Sequence, residues 1–179
     1  MGIPTLISTS TASDSSSVDI TSGIDSTYDE YMFVFTDIGP ATDNVNFTFQ
    51  VNADGQSGFN ETVTSTWFYA YHDEADSATD LLAYDATRDQ AQGTGYQVLF
   101  GMAGNGADEC GAGKLHLFNP ASTTYVKHFY SRCGFYHSSN YSFDAFSAGY
   151  INTTSAIDEI SFKMSSGNFD GVIQMYGIA

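Results

Sequence analysis

Val45-Asn46-Phe47-Thr48-Phe49-Gln50-Val51-Asn52 alternates apolar and polar residues without a break. A period of two puts the apolar side chains on one face of a β-strand and the polar ones on the other. Just upstream, Tyr31, Phe33 and Phe35 alternate with Met32, Val34 and Thr36, and Gly39-Pro40-Ala41-Thr42-Asp43 separates the two runs as a turn. Read as a hairpin, the pair sets Phe35 opposite Phe47, Phe33 opposite Phe49 and Tyr31 opposite Val51. The odd-numbered aromatics then share one face, which must be the core.

The same period continues outward. Val63, Trp67, Tyr69 and Tyr71 follow the turn at Asp54-Gly55 and Gly58. Further strand signals run over 96–102, 114–118, 125–133, 141–151, 157–164 and 172–178, with a glycine-rich loop at 101–113 and a turn at Gly167-Asn168. Residues 77–92 are the only stretch with a helical stripe, from Leu81, Leu82 and Tyr84, and suit an ordered loop equally well. Residues 5–17, rich in Ser and Thr, read as a flexible or extended arm. The expected architecture is an N-terminal arm over 1–17 and a single β-sandwich domain over 18–179. That domain is all-β and antiparallel, of jelly-roll or lectin-like form, with about 8–10 strands.

Composition narrows the function. With 42% hydrophobic residues, 15% of the chain aromatic, 179 residues can fill one core without staples. The 21 acidic and 5 basic side chains give a formal charge of −16. Such a surface repels phosphate, so nucleic acid and anionic membranes are not expected partners. The start, Met1-Gly2-Ile3-Pro4-Thr5-Leu6, lacks the basic and apolar regions of a secretory signal, which predicts synthesis and use without export.

Catalytic and metal signatures are scarce. The four histidines, His72, His116, His128 and His137, fit no zinc spacing, and there is no nucleophile elbow or P-loop. Asp73, Glu74 and Asp76 form one acidic group and Asp108 with Glu109 another, the only candidates for a carboxylate pair or for calcium. Solvated loop acids are the simpler reading of both. The chain is therefore expected to be no enzyme and to hold no cofactor, with Ca2+ the one ion its loops could suit.

Two constellations remain. Centring a hairpin on Pro120–Thr123 pairs Phe118 with Tyr125 and His116 with Lys127, and extends to Cys110 opposite Cys133 as a possible cross-strand pair. Glycines at 111 and 113 could bend that strand away, and cytosolic thiols stay reduced. The same hairpin gathers Lys114, His116, Phe118, Tyr125, Lys127 and Phe129 on one face, with Arg132 close by. Three of the five basic residues thus sit on one hairpin. Two readings stay open: a face for another protein or an acidic glycan, or core aromatics with lysines reaching past them to water.

Four segments carry a family resemblance: ITSGIDSTYDEYMFVFTDIGPATD (20–43), FNETVTSTWFYAYHDEADSATDLLAYD (59–85), LHLFNPASTTYVKHFYSR (115–132) and AGYINTTSAIDEISFKMSSGNFDGVIQMYGIA (148–179). The chain resembles, over residues 20–179, small virion structural proteins of tailed phages of marine bacteria, cyanobacteria included. The closing SSGNFDGVIQMYGI is the most distinctive part. The resemblance implies a jelly-roll or lectin-like virion component, made in the host cytoplasm, and transfers no catalytic or binding residue. Among virion roles, a capsid decoration or accessory protein on the particle surface fits a compact sandwich best. It would contact other virion proteins and copies of itself. A tail-associated lectin-like module that binds a receptor or host-surface glycan is the alternative.

Overall fold

The computed structural model describes residues 2–77 and 81–179. The strands are β1 (Thr5–Ser15), β2 (Val18–Ile20), β3 (Glu30–Pro40), β4 (Val45–Ala53), β5 (Val63–Asp73), β6 (Leu81–Tyr84), β7 (Ala91–Gly93), β8 (Gln97–Ala103), β9 (Gly111–Phe118), β10 (Lys127–His137), β11 (Tyr141–Ile151), β12 (Ile157–Met164) and β13 (Phe169–Ile178). Every pairing is antiparallel. The described residues contain no helix.

Two layers of one continuous sheet face each other. The larger runs β1-β13-β3-β9-β10-β11-β5, with β6 and β7 on the far edge of β5; the smaller runs β8-β4-β12-β2. A single pairing of His137 with Ala103 joins them, so the sheet nearly closes on itself. Interlayer ring contacts fill the space between. Phe33 meets Phe162 at 5.5 Å, Phe35 meets Phe47 at 5.3 Å, and Phe49 meets Phe129 at 5.1 Å. Offset and edge-to-face aromatic pairs of this kind add about 0.5–1.5 kcal/mol each beyond their buried area.

The alternating runs at 31–35 and 45–51 are buried on the expected face, but they are not a hairpin. β3 bonds to β13 and β9, and β4 to β12 and β8. Phe35 and Phe47 touch across the core, not along a ladder. Alternation specifies which face is buried; it does not distinguish neighbours in one sheet from partners in facing sheets, because both arrangements hide the same side chains.

The second correction is one of register. The hairpin β9–β10 pairs Leu117 with Phe129, His116 with Tyr130, Lys114 with Arg132 and Gly113 with Cys133. This is an odd shift from the pairing of Phe118 with Tyr125, and an odd shift exchanges inside and outside along one strand. The cause lies in the connection. Asn119 adopts φ +45° and donates its N–H to the Asp29 carbonyl at 2.6 Å, while Ser122 Oγ accepts the N–H groups of Thr124 and Tyr125. The loop therefore runs on to Val126, and β10 starts later than a tight turn would allow. Cys110 lies beside Tyr136 instead of Cys133, and both thiols are free.

The stretch read as a flexible or extended arm is mostly β1, an edge strand paired along β13 from Thr5 to Ser15 with two irregularities. Irregular edges of this kind resist pairing with other chains. In the stretch read as a possible helix, 81–84 and 91–93 are short strands on β5, and residues 78–80 lie outside the described residues. Short strands on the far edge, together with β1 and β2, bring the count to 13, above the expected 8–10.

Candidate interaction face

The larger layer presents its second face to solvent, and the register fixes what stands there. On β10 the odd residues from Lys127 to His137 are buried, and the even ones point outward. Arg132 is flanked by Lys114 on β9 and Phe146 on β11. Beyond them, Val34 on β3 pairs with Lys114, Phe68 on β5 pairs with Phe146, and Tyr84 on β6 pairs with Phe68. One cross-strand row thus spans six strands, about 24 Å at ~4.8 Å per strand.

The row is organised around Arg132. Its guanidinium forms a two-pronged hydrogen bond to Asp144, Nε to Oδ1 at 3.0 Å and Nη2 to Oδ2 at 2.7 Å. Its Cζ lies 5.0 Å from the Phe146 ring centroid. Phe146 in turn stacks on Phe68 at 4.8 Å, with 3° between the planes. The hydrogen bond to Asp144 raises the Arg132 pKa above its ordinary value. The adjacent row holds a cluster of three rings, His116 with Tyr130 at 4.5 Å and Phe118 at 6.3 Å and those two 5.7 Å apart, and His116 Nδ1 is bonded to the Glu30 carboxylate. Tyr130 is 43% and Phe68 38% exposed. Between the cations and Gly134 lies an open depression of about 550 Å³ that Val34, Phe143 and Asp144 help to line.

Of the expected contact residues, Lys114, Phe118 and Arg132 belong to this face, with His116 on the same side of the sheet but itself buried against Tyr130. Lys127 and Phe129 do not, which corrects the face drawn from the sequence: both are buried, Phe129 against Phe49. Lys127 Nζ donates to the Thr153 carbonyl at 3.2 Å, and burial pushes its pKa down. Tyr125 stands apart on the β9–β10 loop, 70% exposed. The sequence reading missed Tyr130, Phe146, Phe68 and Asp144. The even-numbered aromatics of β10 and β11 were the available signal, once the odd positions are assigned to the core.

Of the five basic residues only Lys114 and Arg132 are exposed. Arg88 is paired with Asp85 and lies over Trp67, and Lys163 sits 4.0 Å over the Tyr96 ring. The two exposed cations of an acidic chain, Arg132 paired with Asp144 and Lys114 beside it, are therefore cross-strand neighbours on one face.

The acidic and histidine candidates do not converge. Asp73 accepts the Ser77 N–H and hydroxyl, and Asp76 lies 3.4 Å from His72. Glu109 accepts the Gly106 N–H at 2.6 Å and, with Asp37, Asp108 and Asp170, lines a depression of about 410 Å³. His128 faces Tyr150, whereas His137 is buried against Phe143 and burial lowers its pKa. Among the described residues, no group of three His, Cys, Asp or Glu side chains is placed to hold a metal ion. Burial raises both thiols, Cys133 to about 12.

No family model matches the chain, and no curated protein matches it.

Proposed function

We propose that this chain is a non-enzymatic structural protein of a phage virion, a decoration or accessory subunit that packs on the particle surface through the outer face of its larger layer. One observation carries the reading. Both exposed cations of a chain of charge −16 stand side by side on that face, bordered by stacked, partly exposed aromatics. Aromatic and Arg anchors are the residues that dominate protein–protein contacts. Stacked rings held by a sheet also cost little entropy to immobilise.

The partner is a second copy of the chain, presenting acids. The acidic depression at Asp37, Asp108, Glu109 and Asp170 lies at strand ends, off the cationic row. A contact between unlike surfaces of identical chains repeats from one copy to the next and builds rings or arrays. Acidic bodies that otherwise repel would then be brought together where two of their five basic side chains stand exposed.

Sedimentation of the purified protein across a salt series tests this, with particle attachment as the companion assay. Reversing both cations, Lys114→Glu with Arg132→Glu, is expected to weaken self-association most strongly at low salt, with only a modest fall in melting temperature from the lost, largely exposed Arg132–Asp144 pair. Gly134→Val fills the depression at little steric cost, since a Cβ there meets only the Phe143 carbonyl oxygen at 3.8 Å. Self-association that survives both changes would defeat the assignment of this face.

A further inference from the structure

We infer that the end of the sandwich where the β9–β10 loop meets residues 26–29 is a binding site for one neutral pyranose ring. A concavity of about 340 Å³ opens there, lined by Tyr28, Asp29, Asn119, Thr123, Thr124 and Tyr125 among others. Its size is at the lower end of small-ligand sites, right for one sugar ring and too small for an extended chain. The inference goes beyond particle packing: it uses none of the residues of the outer row.

The lining has the chemistry of a saccharide site. Among the described residues, the Asp29 carboxylate, the Asn119 amide and the Thr123 and Thr124 hydroxyls take no hydrogen bond within the chain. They supply acceptors and donors of both kinds, as a ring bearing hydroxyls on every side requires. Tyr125, 70% exposed, offers a ring largely open to solvent. The negative face of a tyrosine ring attracts the slightly positive C–H groups on the apolar face of a pyranose.

The site is also built in advance. Asn119 N is bonded to the Asp29 carbonyl, which locks the two polar groups together, and Ser122 Oγ fixes the backbone that carries Thr124 and Tyr125. Tyr28 lies over Gly177 so closely that a Cβ there would come within 2.2 Å of its ring. It also meets Tyr31 edge-on at 5.9 Å, and Tyr31 is in turn tied to Asp25. A loop that is ordered before binding pays less on binding.

Charge selects within the class. Asp29 and the overall charge of −16 oppose a carboxylated sugar, because like charges brought together in an interface are costly. A neutral hexopyranoside should bind and its uronic acid counterpart should not.

Amide-detected NMR titration of the full chain tests this with methyl glucoside, methyl galactoside, methyl mannoside and methyl glucuronide as probes. At least one neutral probe is expected to shift the amides of Asn119 and of residues 122–125, with a Kd on the order of 1 mM. The glucuronide should bind at least about tenfold more weakly than the glucoside. Tyr125→Ala should abolish the shifts, Tyr125→Phe should retain them, and Asp29→Asn should weaken them without loss of fold. If no neutral probe moves these amides, or if Tyr125→Ala binds like the wild type, the inference fails. It fails equally if calcium chloride alone moves them and the sugars do not, since the loop would then be a cation site.

Discussion

Truncating Phe129 and Tyr130, neighbours on one strand, should give opposite outcomes. Phe129 is 2% exposed and meets Phe49 edge-to-face at 5.1 Å across the core; Tyr130 is 43% exposed and meets only His116 and Phe118 on the outer face. Phe129→Ala leaves a cavity between the layers, and such changes cost about 3–5 kcal/mol. At ~2–4 °C per kcal/mol for a chain of this size, the melting temperature should fall by roughly 6–20 °C. Tyr130→Ala loses ring stacking alone, worth up to about 1.5 kcal/mol, or no more than roughly 6 °C. Self-association should follow the reverse order, with Tyr130→Ala losing contact while its fold persists. Thermal unfolding by circular dichroism, paired with sedimentation of each variant, measures both. A Tyr130 variant that melts as low as the Phe129 variant would refute the register of β9 with β10, and with it the whole assignment of the outer face.

The buried lysine and the thiols allow two more tests. Lys127 is fully buried and its pKa lies below the ordinary value because burial disfavours the charged form. The folded state then binds fewer protons than the unfolded one between the lowered pKa and ~10.4, so the stability tied to this group is present above the unfolded pKa and is lost as pH falls through the folded one. Denaturant unfolding of wild type and Lys127→Met should show their difference in stability shrinking as pH rises toward 10, with the variant at least as stable near neutrality. Cys133, fully buried and with its pKa pushed to about 12, should resist a thiol reagent at pH 8 until the chain unfolds. Mild oxidation should leave the native chain without an internal disulfide, because Cys133 faces Gly113 on the neighbouring strand; mass spectrometry after diamide treatment reads this directly.

The fold class was legible because the dominant signal, a period of two with bulky residues at 31, 33, 35, 47, 49 and 51, depends only on burial. Every one of those side chains is in the core. Pairing was less legible. Whether Phe35 neighbours Phe47 in a sheet or faces it across a sandwich is decided by where β13 and β9 insert, and no local pattern around residue 40 encodes that. The face at β9–β10 shows the same limit at finer scale. Lys114, His116, Phe118 and Arg132 were recognised as a group, but Lys127 and Phe129 were joined to them through a turn placed too early. A lysine on a buried face is what hid the error. Lys127 reads as an exposed residue, and only its bond to the Thr153 carbonyl shows how its charge is accommodated inside. Residues 5–15 read as a flexible or extended arm, and the structure shows the extended form. Their Ser and Thr content suits disorder, yet an edge strand needs only backbone partners on one side, and β13 provides them.

The cationic row and the loop-end concavity lie far enough apart to act independently. Along β9, Lys114 and Asn119 are five positions apart, about 17 Å at ~3.4 Å per residue. Perturbations separated by more than ~7–10 Å with no shared partners add in free energy. Packing one subunit on the next through the row of Arg132 and Phe146 would therefore leave Tyr125, at the strand ends, open to solvent. Reversal of Lys114 and Arg132 should weaken assembly without moving the titration of the Asn119 and Tyr125 amides, and Tyr125→Ala should leave the sedimentation profile as it is. A combined variant should show both losses and nothing further. If Tyr125→Ala disrupts assembly as well, the loop belongs to the subunit contact, its exposed ring is covered by a neighbour, and the saccharide reading of the concavity falls while the packing face grows to include it.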